Sequence, residues 1–205
     1  MRGDLKITAR GAVEAEFGFI AREAKTLVNK RLYERLVHDN LFLYEKWQDP
    51  AKPEGMWFGE ILFKIVRKMW FANSRDEGII HSSHFNPVRP ETIALVWTAV
   101  RCALDEWKDG TSNPVNFTAI AYEGVYKEVL AGLVALQSTA DGQGVVQDLG
   151  SELWEESRNG LIERRKHPNN SFTQAQHTAA VRDAAARKAR KQAEAEADAA
   201  ALTDY

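Results

Sequence analysis

Cysteine is nearly absent from this chain: Cys102 stands alone among 205 residues, so no intramolecular disulfide can form and the fold needs no oxidising compartment. Charge of one sign is lacking too. The 27 Lys and Arg nearly cancel the 29 Asp and Glu, and a net charge of -2 gives no global field for nucleic acid or an anionic membrane. Any such binding would need a local patch. No apolar run approaches the roughly 20 residues of a membrane span, and the amino end, MRGDLKITARGAVEAEF, scatters charges where a secretory signal has its apolar stretch. An intracellular, soluble protein with no membrane partner is the expectation. Without secretion the sequons at Asn116 and Asn169 carry no weight.

Motifs that carry chemistry are equally scarce. The GQG at residues 142–144 is too short to cradle a phosphate, and no nucleophile elbow occurs. His81 and His84 have a spacing that can set two rings on one metal, but no cysteine or Glu-x-x-His motif completes the set, so packing or loop roles are expected. Cys102 lies inside an apolar stripe and reads as a small buried hydrophobe, with no neighbouring base to activate it. Asp105 and Glu106 are adjacent, and adjacent side chains on a helix diverge by roughly 100°, so they form no acid/base pair by themselves. The sequence thus offers no catalytic residue, no metal ligand set and no cofactor site.

What is present is helical periodicity, strongest in residues 79–110, IIHSSHFNPVRPETIALVWTAVRCALDEWKDG. Pro90 suits a first helical turn and Gly110 the left-handed residue past the end. Between them Ile93, Trp97, Val100, Leu104 and Trp107 recur at spacings of three and four, with Arg101, Asp105 and Lys108 opposite. Earlier helices are expected over residues 2–17, over 20–38 with Ala24, Leu27, Val28, Leu32 and Leu36 inward, and over 56–71 with Trp57, Ile61, Ile65 and Trp70 in a wide apolar face. Residues 41–55 read as a loop anchored by aromatics, and residues 73–86 as a connection. After residue 110, Asn116 or Thr118 caps a helix carrying Tyr122, Tyr126, Val129 and Leu133. The tyrosines read as core bodies with hydroxyls at the rim, a binding surface being the alternative.

The fold class is therefore all-α: a single globular domain of about five or six helices over residues 1–140. Residues 141–168 form a linker and an additional helix using Val146, Leu149, Leu153 and Trp154, and residues 169–205 form a charged, alanine-rich tail, flexible or a single helix. Basic residues cluster at Arg164, Arg165 and Lys166 and again at Arg187, Lys188, Arg190 and Lys191, a composition suited to nuclear import or phosphate contact. Glu194, Glu196 and Asp198 offset much of that field, so a solvated tail is the plainer reading.

The segments RGDLKITARGAVEAEFG, LFLY, MWFGEILFKIVRKMWF, FNPVRPETIALVWTAVRCALDEWKDG and FTAIAYEGVYKEVLAGL, in that order, resemble the ordered blocks of a fungal domain of unknown function, number 6532 in its series. The family is frequent in basidiomycetes, and the block over residues 90–110 is the most specific. Coverage is roughly residues 2–136. The resemblance implies a fungal origin and an all-helical domain, and it carries no activity, cofactor or catalytic residue.

Three functions stay open at this point. A non-enzymatic helical protein-interaction domain accounts for the apolar faces without a reactive set. A nucleic-acid-associated nuclear protein, of mobile-element origin, would use exposed Lys and Arg on the second and third helices or the tail. A helical enzyme would need a pocket lined by Trp57, Trp70, Trp97 or Trp107.

Overall fold

Apolar residues at spacings of three and four fold most of the chain into helices. In the computed structural model, which describes residues 2–166 and side chains from 3 to 160, the α-helices are α1 Arg2–Phe17, α2 Thr26–Val37, α3 Glu60–Trp70, α4 Glu77–Ile80, α5 Ser82–Phe85, α6 Pro90–Asp105, α7 Ala119–Gln137 and α8 Ala140–Lys166. Six have 11 residues or more, and α4 and α5 are single turns of 4. A short antiparallel hairpin pairs β1 Tyr44–Lys46 with β2 Glu54–Met56, with Tyr44 opposite Met56 and Lys46 opposite Glu54. The chain is mostly helical. Residues 1–164 form one compact unit and 165–205 a second. The basic side chains of Arg164, Arg165, Lys166, Arg187, Lys188, Arg190 and Lys191, the Asn169 sequon and the alanine-rich tail lie outside the described side chains.

Helix α6 is the axis. Ile93, Trp97, Val100, Leu104 and the following Trp107 are fully buried, as are Ala94, Val96, Ala99 and Ala103 on its other sides. A helix apolar nearly all round must be covered on all sides, and α1, α2, α3 and α7 all pack against it. Its one buried hydroxyl, on Thr98, donates to the Ala94 carbonyl at 2.7 Å. Aromatic contacts close the ends: Phe42 meets Trp97 edge-on at 5.9 Å, and Phe19 stacks on Trp107 at 4.9 Å. Trp57, Ile61, Ile65, Trp70 and Tyr122 are also buried, and Tyr126 is half-buried.

Several local expectations are corrected. Helix α2 starts at Thr26 rather than at residue 20, and Ala24, Leu27 and Val28 point to solvent while Asn29, Tyr33 and Leu36 face inward. Register there is set by a buried amide: Asn29 Nδ2 donates to the Ile20 and Gly110 carbonyls, each at 2.9 Å, and its Oδ1 accepts from Ile20 N–H at 3.3 Å. Helix α3 starts at Glu60, because Trp57 holds a left-handed backbone (φ 76°) and Gly59 an extended one. Residues 41–55 contain a 3-10 segment and β1 rather than loop alone, and 73–86 contain α4 and α5.

The linker expected at the start of residues 141–168 is likewise helix, since α8 runs from Ala140 onward. Gly150 marks where α8 meets the body, since its carbonyl accepts from Val88 N–H at 3.0 Å and an added Cβ would lie 2.5 Å from the Val88 oxygen. Gly144 on the same helix has nothing within 4 Å. Alanine gains up to about 1 kcal/mol over glycine in an open helix position. Gly144→Ala is therefore expected to stabilise by up to that amount, whereas Gly150→Ala is expected to destabilise because contact with backbone outweighs propensity. Urea titrations of the two variants check the opposite signs.

Candidate interaction site

At the carboxyl end of α6, Asp105 and the following Glu106 point in different directions. Asp105 Oδ1 accepts from the Tyr33 hydroxyl and from Arg101 Nε, and Oδ2 accepts from the Tyr122 hydroxyl, all at 3.0 Å. That one carboxylate ties α6 to α2 and α7. Glu106 is fully buried: Lys6 Nζ stands 2.7 Å from Oε1, and Arg10 Nε stands 3.2 Å from Oε2 as an ion pair outside hydrogen-bond alignment. Val115 N–H donates to Oε1 at 3.3 Å, and the Glu106 carbonyl accepts from Asn113 N–H at 2.8 Å. Glu106 thus fastens α1 and the 111–117 segment to the axis.

Cys102 and the two tyrosines are held in the wrong protonation state for nucleophilic work. Burial raises the Cys102 thiol, and its interaction with Tyr122 only partly opposes this. Burial also raises Tyr122, reinforced by Cys102 and by the Asp105 charge, and raises Tyr33 for the same first reason. Thiol and phenols stay protonated at neutral pH, and the carboxylates are occupied by structural bonds. What the cluster does is position α2 and α7 around α6.

Between the amino-terminal halves of α6 and α7 lies an open groove of about 400 Å3. Leu95, Phe117, Tyr122 and Tyr126 supply apolar walls, Thr98 and Thr118 border them, and Glu91 and Glu123 stand at the mouth. Thr118 starts α7 here by accepting from Ala121 N–H at 3.3 Å. Glu123 pairs with Lys127 at 2.7 Å, and Glu91 forms no ion pair among the described residues. In the first turn of α7, Ile120 is 97% exposed. Tyr122 and Tyr126 therefore combine the two readings open in the sequence: Tyr122 anchors its hydroxyl on the core, and both rings line a surface groove. Leu95 and Phe117 were not legible as site residues, because each lies off the main apolar stripe of its segment.

A second groove, of about 420 Å3, is bordered by Glu45, Glu152 and Glu156 with Phe58, Phe63 and Arg67. The Glu152 carboxyl is held above its ordinary 4.5 by partial burial first, then by repulsion from Glu156, Glu45, Asp148 and Glu155. The folded chain holds that proton more tightly than the unfolded chain, so the contribution is complete below the unfolded value and is lost as pH rises through the folded value. Glu152→Gln is expected to flatten this decline. Thermal scans at about pH 4 and about pH 7 should show a larger gain at the higher pH.

Of the four indoles named for the enzyme reading, Trp97 and Trp107 are fully buried, Trp57 is nearly so, and Trp70 borders a surface groove beside Lys68 and Arg75. His81 and His84 are exposed with ring centroids 6.3 Å apart, and no group of three or more metal-ligating side chains occurs among the described residues. No described helix is long and apolar enough to cross a membrane.

The architecture is that of a mostly helical domain wound on one buried helix, with its ionisable groups at the core committed to structural bonds and an apolar groove left open. Residues 1–136 match the family described as Domain of unknown function (DUF6532), and the chain belongs to that family. The match covers α1 to α6 and nearly all of α7, and so includes the groove; α8 lies beyond it. No curated protein and no solved structure matches the chain.

Proposed function

We propose that this protein is a non-enzymatic helical protein-interaction domain, whose protein partner seats an apolar side chain flanked by cationic groups in the α6–α7 groove. The observation that carries the reading is the groove itself: Leu95, Phe117 and Tyr126 form apolar walls beside the unpaired Glu91 carboxylate. Apolar anchors seated in a pocket and rimmed by complementary charge are how most interfaces obtain their affinity. The fungal origin and intracellular location expected from the sequence belong to the same reading.

Affinity capture from the native cell tests it, comparing the wild-type chain with a variant carrying Ile120→Asp and Tyr126→Ala. Circular dichroism verifies that both are folded. Partners retained by the wild-type chain and lost by the variant support the reading. An identical set of partners on both, or a set that elutes only with small-molecule substrates, contradicts it.

A further inference from the structure

Helix α2 has an inverted polarity that the groove does not explain. It buries Asn29, saturated by three hydrogen bonds, and leaves Leu27 71% exposed and Val28 56% exposed. The Asn29 bonds to Ile20 hold that residue, also exposed, beside the first turn of α2. On α2 and the turn before it, Arg22, Lys25, Lys30 and Arg31 are all exposed and none is in an ion pair among the described residues. Arg35, by contrast, is committed to the Gln48 carbonyl and the Trp47 ring.

We infer that this face of α2 docks an acidic amphipathic helix of a partner protein, at a surface separate from the α6–α7 groove. Leu27, Lys30, Arg31 and Glu34 recur at the spacing of one helix face, the arrangement that meets another helix side by side. The unpaired cations call for carboxylates, and the exposed Leu27, one turn before Lys30 and Arg31, calls for an apolar ridge beside them. Nucleic acid fits less well, since Glu23 and Glu34 sit among the cations and oppose a continuous phosphate backbone. A bilayer also fits less well. Glu23 and Glu34 sit among the cations, and a continuous anionic surface opposes them, whereas a peptide helix can aim its carboxylates at Lys30 and Arg31 alone. Because Asn29 fixes the turn, the surface is presented in the conformation it needs for binding.

Fluorescence anisotropy with the full chain tests the inference. The probe is a labelled synthetic helical peptide with leucines along one face and glutamates flanking them. Its comparisons are the same composition scrambled, a labelled DNA duplex, and phosphatidylcholine vesicles containing phosphatidylserine. The expected result is saturable binding of the amphipathic peptide that weakens with salt and falls by about tenfold or more on Lys30→Glu with Arg31→Glu. Leu27→Ser is expected to weaken it by several fold. Both substitutions are at exposed positions and should leave the unfolding midpoint unchanged, and Ile120→Asp should leave peptide binding unchanged. Equal binding of the scrambled peptide, binding confined to DNA or to vesicles, loss of binding on Ile120→Asp, or no binding at all would overturn the inference.

Discussion

Replacing Trp97 by alanine is expected to destabilise the chain by about 3 to 5 kcal/mol, the range for removing a large buried aromatic. The indole is fully buried at the middle of α6, meets Phe42 edge-on at 5.9 Å, and lies so close to Gly59 that a Cβ there would be 2.8 Å from its ring. Two effects oppose each other. Its Nε1 has no hydrogen-bond partner, and deleting an unsatisfied donor returns about 1 to 3 kcal/mol. The lost burial and the cavity left between elements that cannot collapse outweigh this, because the site is walled by α6 itself and by the chain at Gly59 and Phe42. Chemical denaturation reads the difference, and a loss below about 1 kcal/mol would mean the indole is not a core element.

Gly110→Ala is expected to cost more than about 3 kcal/mol, from two separable causes. The backbone there is left-handed (φ 82°), which an alanine adopts at a cost of about 1 kcal/mol or more. Its Cβ would also stand 2.0 Å from the Thr26 carbonyl oxygen, so the segment must retreat. That retreat breaks the buried bond from Asn29 Nδ2 to the Gly110 carbonyl, and an unsatisfied buried amide costs about a further 1 to 3 kcal/mol. Gly18→Ala separates the two causes. Gly18 has nearly the same φ, 78°, with nothing within 4 Å, so its substitution should show the backbone cost alone. Equal losses for the two variants would show that the contact with α2 carries no weight.

The axis of the fold was legible because burial on all sides writes a dense apolar pattern into one segment. From Pro90 to the left-handed Gly110, local signals and tertiary role agree. Helix α2 was misread for the opposite reason. Its outward Leu27 and Val28 and inward Asn29 make sense only once Ile20 and Gly110 are known to lie within reach of the amide. Gly150 is a contact point that the sequence does not reveal, because a spacing pattern does not show what backbone passes alongside. The divergence of Asp105 and Glu106 followed from helix geometry, yet their partners, Tyr33, Tyr122, Lys6 and Arg10, come from three other helices. Leu95 and Phe117 were silent for a related reason: a groove is defined by what fails to cover a residue, and sequence periodicity registers only what is covered.

Hydrogen exchange of the full chain, with and without a captured partner, tests most directly the claim that the open groove is where this domain works. Slowed exchange over residues 91–98 and 117–126 on binding is the predicted result. Binding that leaves those amides unchanged, with protection confined to other segments, would contradict it.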